Sequence, residues 1–147
     1  MSFVQKIAED LRKAIKAKET VRISCLRLLK TSIKNREIEK GHELKDEEIQ
    51  SIISSSIRKG QEAVKEFRQG GREDLAAKEE AEIGVLYGYL PEQLSPEEIE
   101  KTLREIISEL SAESPNDLGK IMKVAMARMA GKAQGREVSE IAKRLLV

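Results

Sequence analysis

Apolar residues recur every three or four positions along almost the whole chain, and no stretch alternates apolar and polar for long enough to predict a strand. Ser2-Phe3-Val4-Gln5 fits a capping box, in which the serine accepts from the backbone and the glutamine reaches back. Phe3, Val4, Ile7, Leu11, Ala14 and Ile15 then predict the apolar face of a first helix. A second helix is expected from about Thr20 to Lys40, with Val21, Cys25, Leu28, Leu29 and Ile33 inward and Gly41 as its stop. Asp46-Glu47-Glu48 places acids at the positive end of a third helix, whose stripe is Ile49, Ile52, Ile53, Ile57, Val64 and Phe67 up to Gly70-Gly71. The fourth runs from about Asp74 with Leu75, Ile83, Leu86 and Leu90, and Pro91 ends it. Gly84 and Gly88 inside it predict a close approach by another helix.

Pro91-Glu92-Gln93-Leu94 is the best candidate boundary. Ser95-Pro96-Glu97-Glu98 follows at once, with an N-cap serine, a proline at the first helical position and a capping-box glutamate. The fifth helix carries Ile99, Leu103, Ile106, Ile107 and Leu110. The same device at Ser114-Pro115-Asn116-Asp117 opens a sixth with Leu118, Ile121, Met122, Ala125 and Met129, and a seventh spans about Arg136 to Leu146 with Val138, Ile141, Ala142 and Leu145. The expected architecture is all-α, a four-helix N-terminal part over residues 1–92 followed by a three-helix tail domain over residues 95–147.

Composition narrows the function. Charged residues make up 36% and hydrophobic ones 39%, a balance expected of a water-facing globular chain, and no run of about 18 apolar residues suggests a membrane span. The first residues show no basic stretch leading into an apolar one, so no secretory signal is expected. The single cysteine, Cys25, fits the reducing cytoplasm. Net charge is +1, yet residues 1–40 hold 11 basic against 5 acidic side chains, residues 41–114 hold 9 against 18, and residues 115–147 hold 7 against 3. Two basic ends around an acidic middle raise the expectation of a polyanionic partner.

Catalytic groups are hard to find. His42, the only histidine, follows Gly41 in a polar stretch and reads as a solvated loop residue, while Cys25 repeats with core positions and reads as structural. The acids of Glu79-Glu80-Ala81-Glu82 and Glu97-Glu98-Ile99-Glu100 read as solvated helix faces rather than a hydrolytic pair. Gly131-Lys132 lacks the preceding strand and the Lys-Ser/Thr ending of a phosphate-binding loop. No catalytic residue, metal or cofactor is expected. Basic residues stand out instead. Arg27, Lys30 and Lys34 share one face of the second helix. Lys120, Lys123, Arg128, Lys132, Arg136, Lys143 and Arg144 lie on or beside the connector Gly131-Lys132-Ala133-Gln134-Gly135-Arg136, whose two glycines would let the backbone turn tightly or approach a partner. The four aromatics, Phe3, Phe67, Tyr87 and Tyr89, offer no stacking platform, so recognition of RNA would go through backbone and shape.

Arg22-Ile23-Ser24-Cys25-Leu26-Arg27-Leu28-Leu29-Lys30 and Ile33-Lys34-Asn35-Arg36-Glu37-Ile38-Glu39 resemble the front signature of the YqeY family. Gly71-Arg72-Glu73-Asp74-Leu75, Glu79-Glu80-Ala81-Glu82-Ile83 and Tyr89-Leu90-Pro91-Glu92-Gln93-Leu94-Ser95 continue it, and Leu118-Gly119-Lys120-Ile121-Met122-Lys123 and Gly131-Lys132-Ala133-Gln134-Gly135-Arg136-Glu137-Val138 complete it. That family is similar to the C-terminal helical and tail regions of the B subunit of tRNA-dependent amidotransferase. There the catalytic cradle is a separate domain and the tail contacts the body of the tRNA. The resemblance implies a non-catalytic tRNA-binding accessory protein of translation, with Lys120, Lys123, Lys132 and Arg136 on phosphates, Gly131 and Gly135 allowing close approach, and Arg128, Arg27, Lys30 and Lys34 extending the track. One departure is Gln134, where the family commonly has aspartate. A second reading is an interaction module for an amidotransferase subunit, an aminoacyl-tRNA synthetase or the ribosome, resting on the acidic middle and on exposed hydrophobics near Tyr87 and Tyr89. A third is carbon–nitrogen ligase activity with glutamine as amide donor, which would need a nucleotide and metal site. Neither DNA nor a membrane is expected as a partner.

Overall fold

The computed structural model describes residues 2–147, and all of its regular structure is helical. The helices are α1 (Phe3–Ala17), α2 (Thr20–Lys40), α3 (Asp46–Gln69), α4 (Glu73–Tyr87), α5 (Pro96–Leu110), α6 (Leu118–Arg128) and α7 (Gly135–Leu145). They fall into two compact units, Met1–Leu90 and Pro91–Val147.

The first unit holds α1 to α4. Ser2 caps α1 with both arms of its capping box in place, the Gln5 amide donating to Ser2 Oγ and the Ser2 amide to Gln5 Oε1, each at 3.2 Å. Gly41 ends α2 in the left-handed region (φ 75°), where a side chain is strained. The longest helix, α3, packs most extensively on α4, and α1 and α2 close the bundle. Ile7, Leu26, Ile49, Ile53, Ile57 and Ala76 are fully enclosed.

Several inward positions differ from the expectation. Leu28 is 61% exposed, because α2 turns Cys25, Leu26, Leu29 and Ile33 to the core and leaves Leu28 on its flank. Val4, Ile15 and Leu110 are also exposed, at the margins of their apolar arcs. The fourth helix stops at Tyr87, short of Leu90, and Tyr89 folds under it with only 5% of its surface exposed. This overturns the expectation of an exposed hydrophobic at Tyr89. Its hydroxyl donates to Asp10 Oδ2 at 2.6 Å, and burial followed by that bond raises its pKa. Close helix packing occurs at neither Gly84 nor Gly88. Gly84 faces open space, and Gly88 lies past the helix end. It occurs at Gly60, where an added Cβ would stand 2.9 Å from Ile83 Cγ1 and 3.2 Å from Glu79 Oε1.

The second unit is α5, α6 and α7 around Ile99, Leu103, Ile106, Ile121, Ala125, Met129 and Val138. Ser95 caps α5 as expected, accepting from the Glu98 amide at 3.2 Å. Ser114 does not repeat that device. Residues Pro115–Asp117 form a single 3₁₀ turn, the Ser114 side chain makes no cap bond, and Asp117 Oδ2 accepts from the Glu113 amide instead.

Candidate functional site

The connector between α6 and α7 is tied down from one side. Gly131 turns the chain in the left-handed region (φ 74°). Its carbonyl accepts from Gln93 Nε2 at 2.8 Å, and the Lys132 carbonyl accepts from the Leu94 amide at 2.8 Å. The backbone at the turn is therefore satisfied internally, while the Lys132 side chain is exposed. Gly135 has no such conformational demand. It is the first residue of α7, and an added Cβ would meet only Met126 at ordinary contact distance, 3.8 Å. Of the two glycines, only Gly131 meets a conformational demand that favours glycine.

On α6, Ile121 and Ala125 point to the core and Lys120 and Lys123 stay on the solvent side, three residues apart on one face. Neither takes part in an ion pair among the described residues, nor does Lys132. Arg128 is different. Its guanidinium is bidentate on Glu109 of α5, at 3.2 Å through Nη1 and closer through Nη2, which holds the Glu109 carboxyl below its ordinary range. Arg136 lies 3.8 Å from Glu140, one turn on in α7. In the first unit Arg27, Lys30 and Lys34 form an exposed strip on α2, with no ion pair among the described residues. Ile38, 71% exposed, continues that strip.

Cys25 is buried, its thiol donates to the Glu82 carbonyl at 3.6 Å, and burial pushes its pKa up to about 11. His42 is exposed, with Nδ1 2.8 Å from the Glu43 carbonyl. Among the described residues no three His, Cys, Asp or Glu side chains stand close enough together to hold a metal ion. None of the described helices is long and apolar enough to cross a membrane.

The acids of α4 depart from the solvated reading. Glu80 pairs with Arg68 at 2.6 Å, but Glu79 and Glu82 are half-buried and line a groove of about 450 Å³ between α2, α3 and α4. Sequence periodicity misses this groove because its wall comes from three helices, and only Gly60, a small residue in the middle of α3, hints at the close approach.

Against known proteins, the family described as Yqey-like protein matches residues 4–146. "Altered inheritance of mitochondria protein 41, mitochondrial" of Lachancea thermotolerans is 31% identical over 119 residues, 79% of this chain and 64% of that protein. The protein of the same name from Kluyveromyces lactis is 32% identical over 114 residues, 75% of this chain and 61% of its own length. That from Pyrenophora tritici-repentis is 27% identical over 134 residues, 90% and 74%. The match thus spans less than two thirds of the first two relatives.

Proposed function

Because this chain belongs to the YqeY family, we propose that it is a non-catalytic tRNA-binding accessory protein that meets the backbone of a folded RNA. One observation supports the reading: Lys120, Lys123 and Lys132 are exposed on the three-helix unit and form no ion pair among the described residues. An ammonium already held by a carboxylate gives little to a phosphate, so unpaired lysines are the ones to weigh. Arg128 serves to join α5 to α6, and Arg136 is at most an auxiliary contact. The α2 strip of Arg27, Lys30 and Lys34 offers a second set of unpaired cations. The reducing cytoplasm remains part of this reading; the mitochondrial label belongs to the relatives.

Three lysines neutralising about three phosphates give affinity that falls roughly 20- to 40-fold between about 50 and 200 mM salt. Titration of folded tRNA at the two salt concentrations checks this, with Lys120→Glu, Lys123→Glu and Lys132→Glu combined. Loss of binding in the variant supports the proposal. Binding that is absent at low salt, or unchanged by the three substitutions, refutes it. A second reading, a protein-docking module, draws on Leu28 and Ile38, both exposed on α2. A partner retained after nuclease treatment, together with no retention of purified tRNA, would favour it.

A further inference from the structure

The groove of the first unit has a chemistry that the RNA reading does not use. Its floor is apolar, made by Leu29, Ile83 and Leu86, all buried in the core, and Leu28 extends that surface to the rim. Into the same space project Glu79 and Glu82, three residues apart on α4 and therefore on one side of the helix. Both are half-buried, and neither forms an ion pair among the described residues. Carboxylates partly withdrawn from water and left without a cation are costly, and two side by side repel each other. The Glu82 carboxyl is held above its ordinary range first by burial and then by Glu79, which outweigh the opposing pull of Lys78, outside the groove, and of a hydrogen bond with Ser24. The groove's one cation, Lys59, is exposed and reaches neither glutamate within ion-pair distance. The thiol of Cys25 is turned to a backbone carbonyl.

We propose that this groove binds a small organic cation, an ammonium or guanidinium group on an apolar stem, with the charge between Glu79 and Glu82 and the stem along Leu29, Ile83 and Leu86. The size fits: about 450 Å³ lies within the range of sites that hold small ligands. An inorganic cation would leave the apolar floor uncovered, and an anion would meet two carboxylates. The site does not depend on the RNA proposal, since none of its residues belongs to the three-helix unit.

The test uses the full chain and dansylcadaverine, a fluorescent primary amine with an apolar body, against its N-acetylated form, which keeps the shape and loses the charge. The expected result is saturable binding of the amine, weakened at least about tenfold by acetylation. Glu79→Gln combined with Glu82→Gln should weaken the amine to a similar degree and leave the acetylated form unaffected. Lys59→Ala should tighten the amine, and Ala63→Leu, which fills the groove without touching charge, should block it. Equal binding of the two probes overturns the proposal, as does amine binding insensitive to both the glutamine pair and Ala63→Leu. So does the absence of saturable binding up to about 1 mM.

Discussion

Gln134 occupies the N-cap of α7 with extended backbone (φ −81°, ψ 135°), and its side chain makes no bond to the helix. Aspartate, the residue that the YqeY resemblance places here, is among the best N-caps: its short carboxylate reaches the amides of the first turn and faces the positive end of the dipole. Glutamine is a methylene longer and uncharged. An aspartate at such a position is suited to fastening the helix through the first-turn amides. Gln134→Asp should stabilise the protein by about 0.5–2 kcal/mol, read from urea unfolding, and should leave tRNA affinity within about twofold. A large loss of affinity would instead assign this position to the RNA. At this scale the sequence was an uneven guide. Cys25 was legible as buried because it repeats with Leu29 and Ile33, whereas Leu26, Leu28 and Leu29 lie so close together that more than one inward arc was available, and the wrong one took Leu28. Tyr89 was not legible as core. Its burial depends on a hydroxyl bond to Asp10, 79 residues away.

Among the elements, the contact of α3 with α4 is governed by one glycine and not by the pair that the sequence advertises. At Gly60 a larger side chain must displace Ile83, and Gly60→Val should destabilise by about 1–3 kcal/mol. At Gly84 an added methyl meets nothing within 4 Å, so Gly84→Ala should gain up to about 1 kcal/mol from helix propensity. Thermal or urea unfolding of the two variants checks both signs, and a destabilised Gly84→Ala would show that α4 meets a neighbour there. Helix starts with complete local chemistry, at Ser2 and Ser95, were legible because every atom of the cap comes from four consecutive residues. Ser114 carries the same letters, yet Asp117 bonds back to Glu113 and a 3₁₀ turn results. A cap motif states which bonds are available, and competition among them is settled by the neighbouring turn.

For the whole molecule, charge takes on a different meaning once counted by folded unit. Residues 1–90 carry 18 basic against 16 acidic side chains, and residues 91–147 carry 9 against 10. The basic tail seen in the last third of the sequence is thus offset by α5, and under the tRNA proposal the attraction would come from a local patch and not from the field of the unit. The all-α class was legible from periodicity throughout. The groove was not, because residues 25 to 86 must first be brought together before its acids and apolar floor share a space. Each unit encloses its own apolar core. Expressed separately, residues 1–90 and residues 91–147 should each give a helical circular-dichroism spectrum with a cooperative melt. The shorter fragment should melt lower, since small domains bury a smaller fraction of their surface. Failure of either to fold would show that it needs the other. The two hydrogen bonds from Gln93 and Leu94 to Gly131 and Lys132 have a mechanical consequence. A pull on the chain at Pro91 is delivered to the α6–α7 turn before it reaches the first residue of α5. The turn that presents Lys132 is the anchor at which tension on the chain enters the unit.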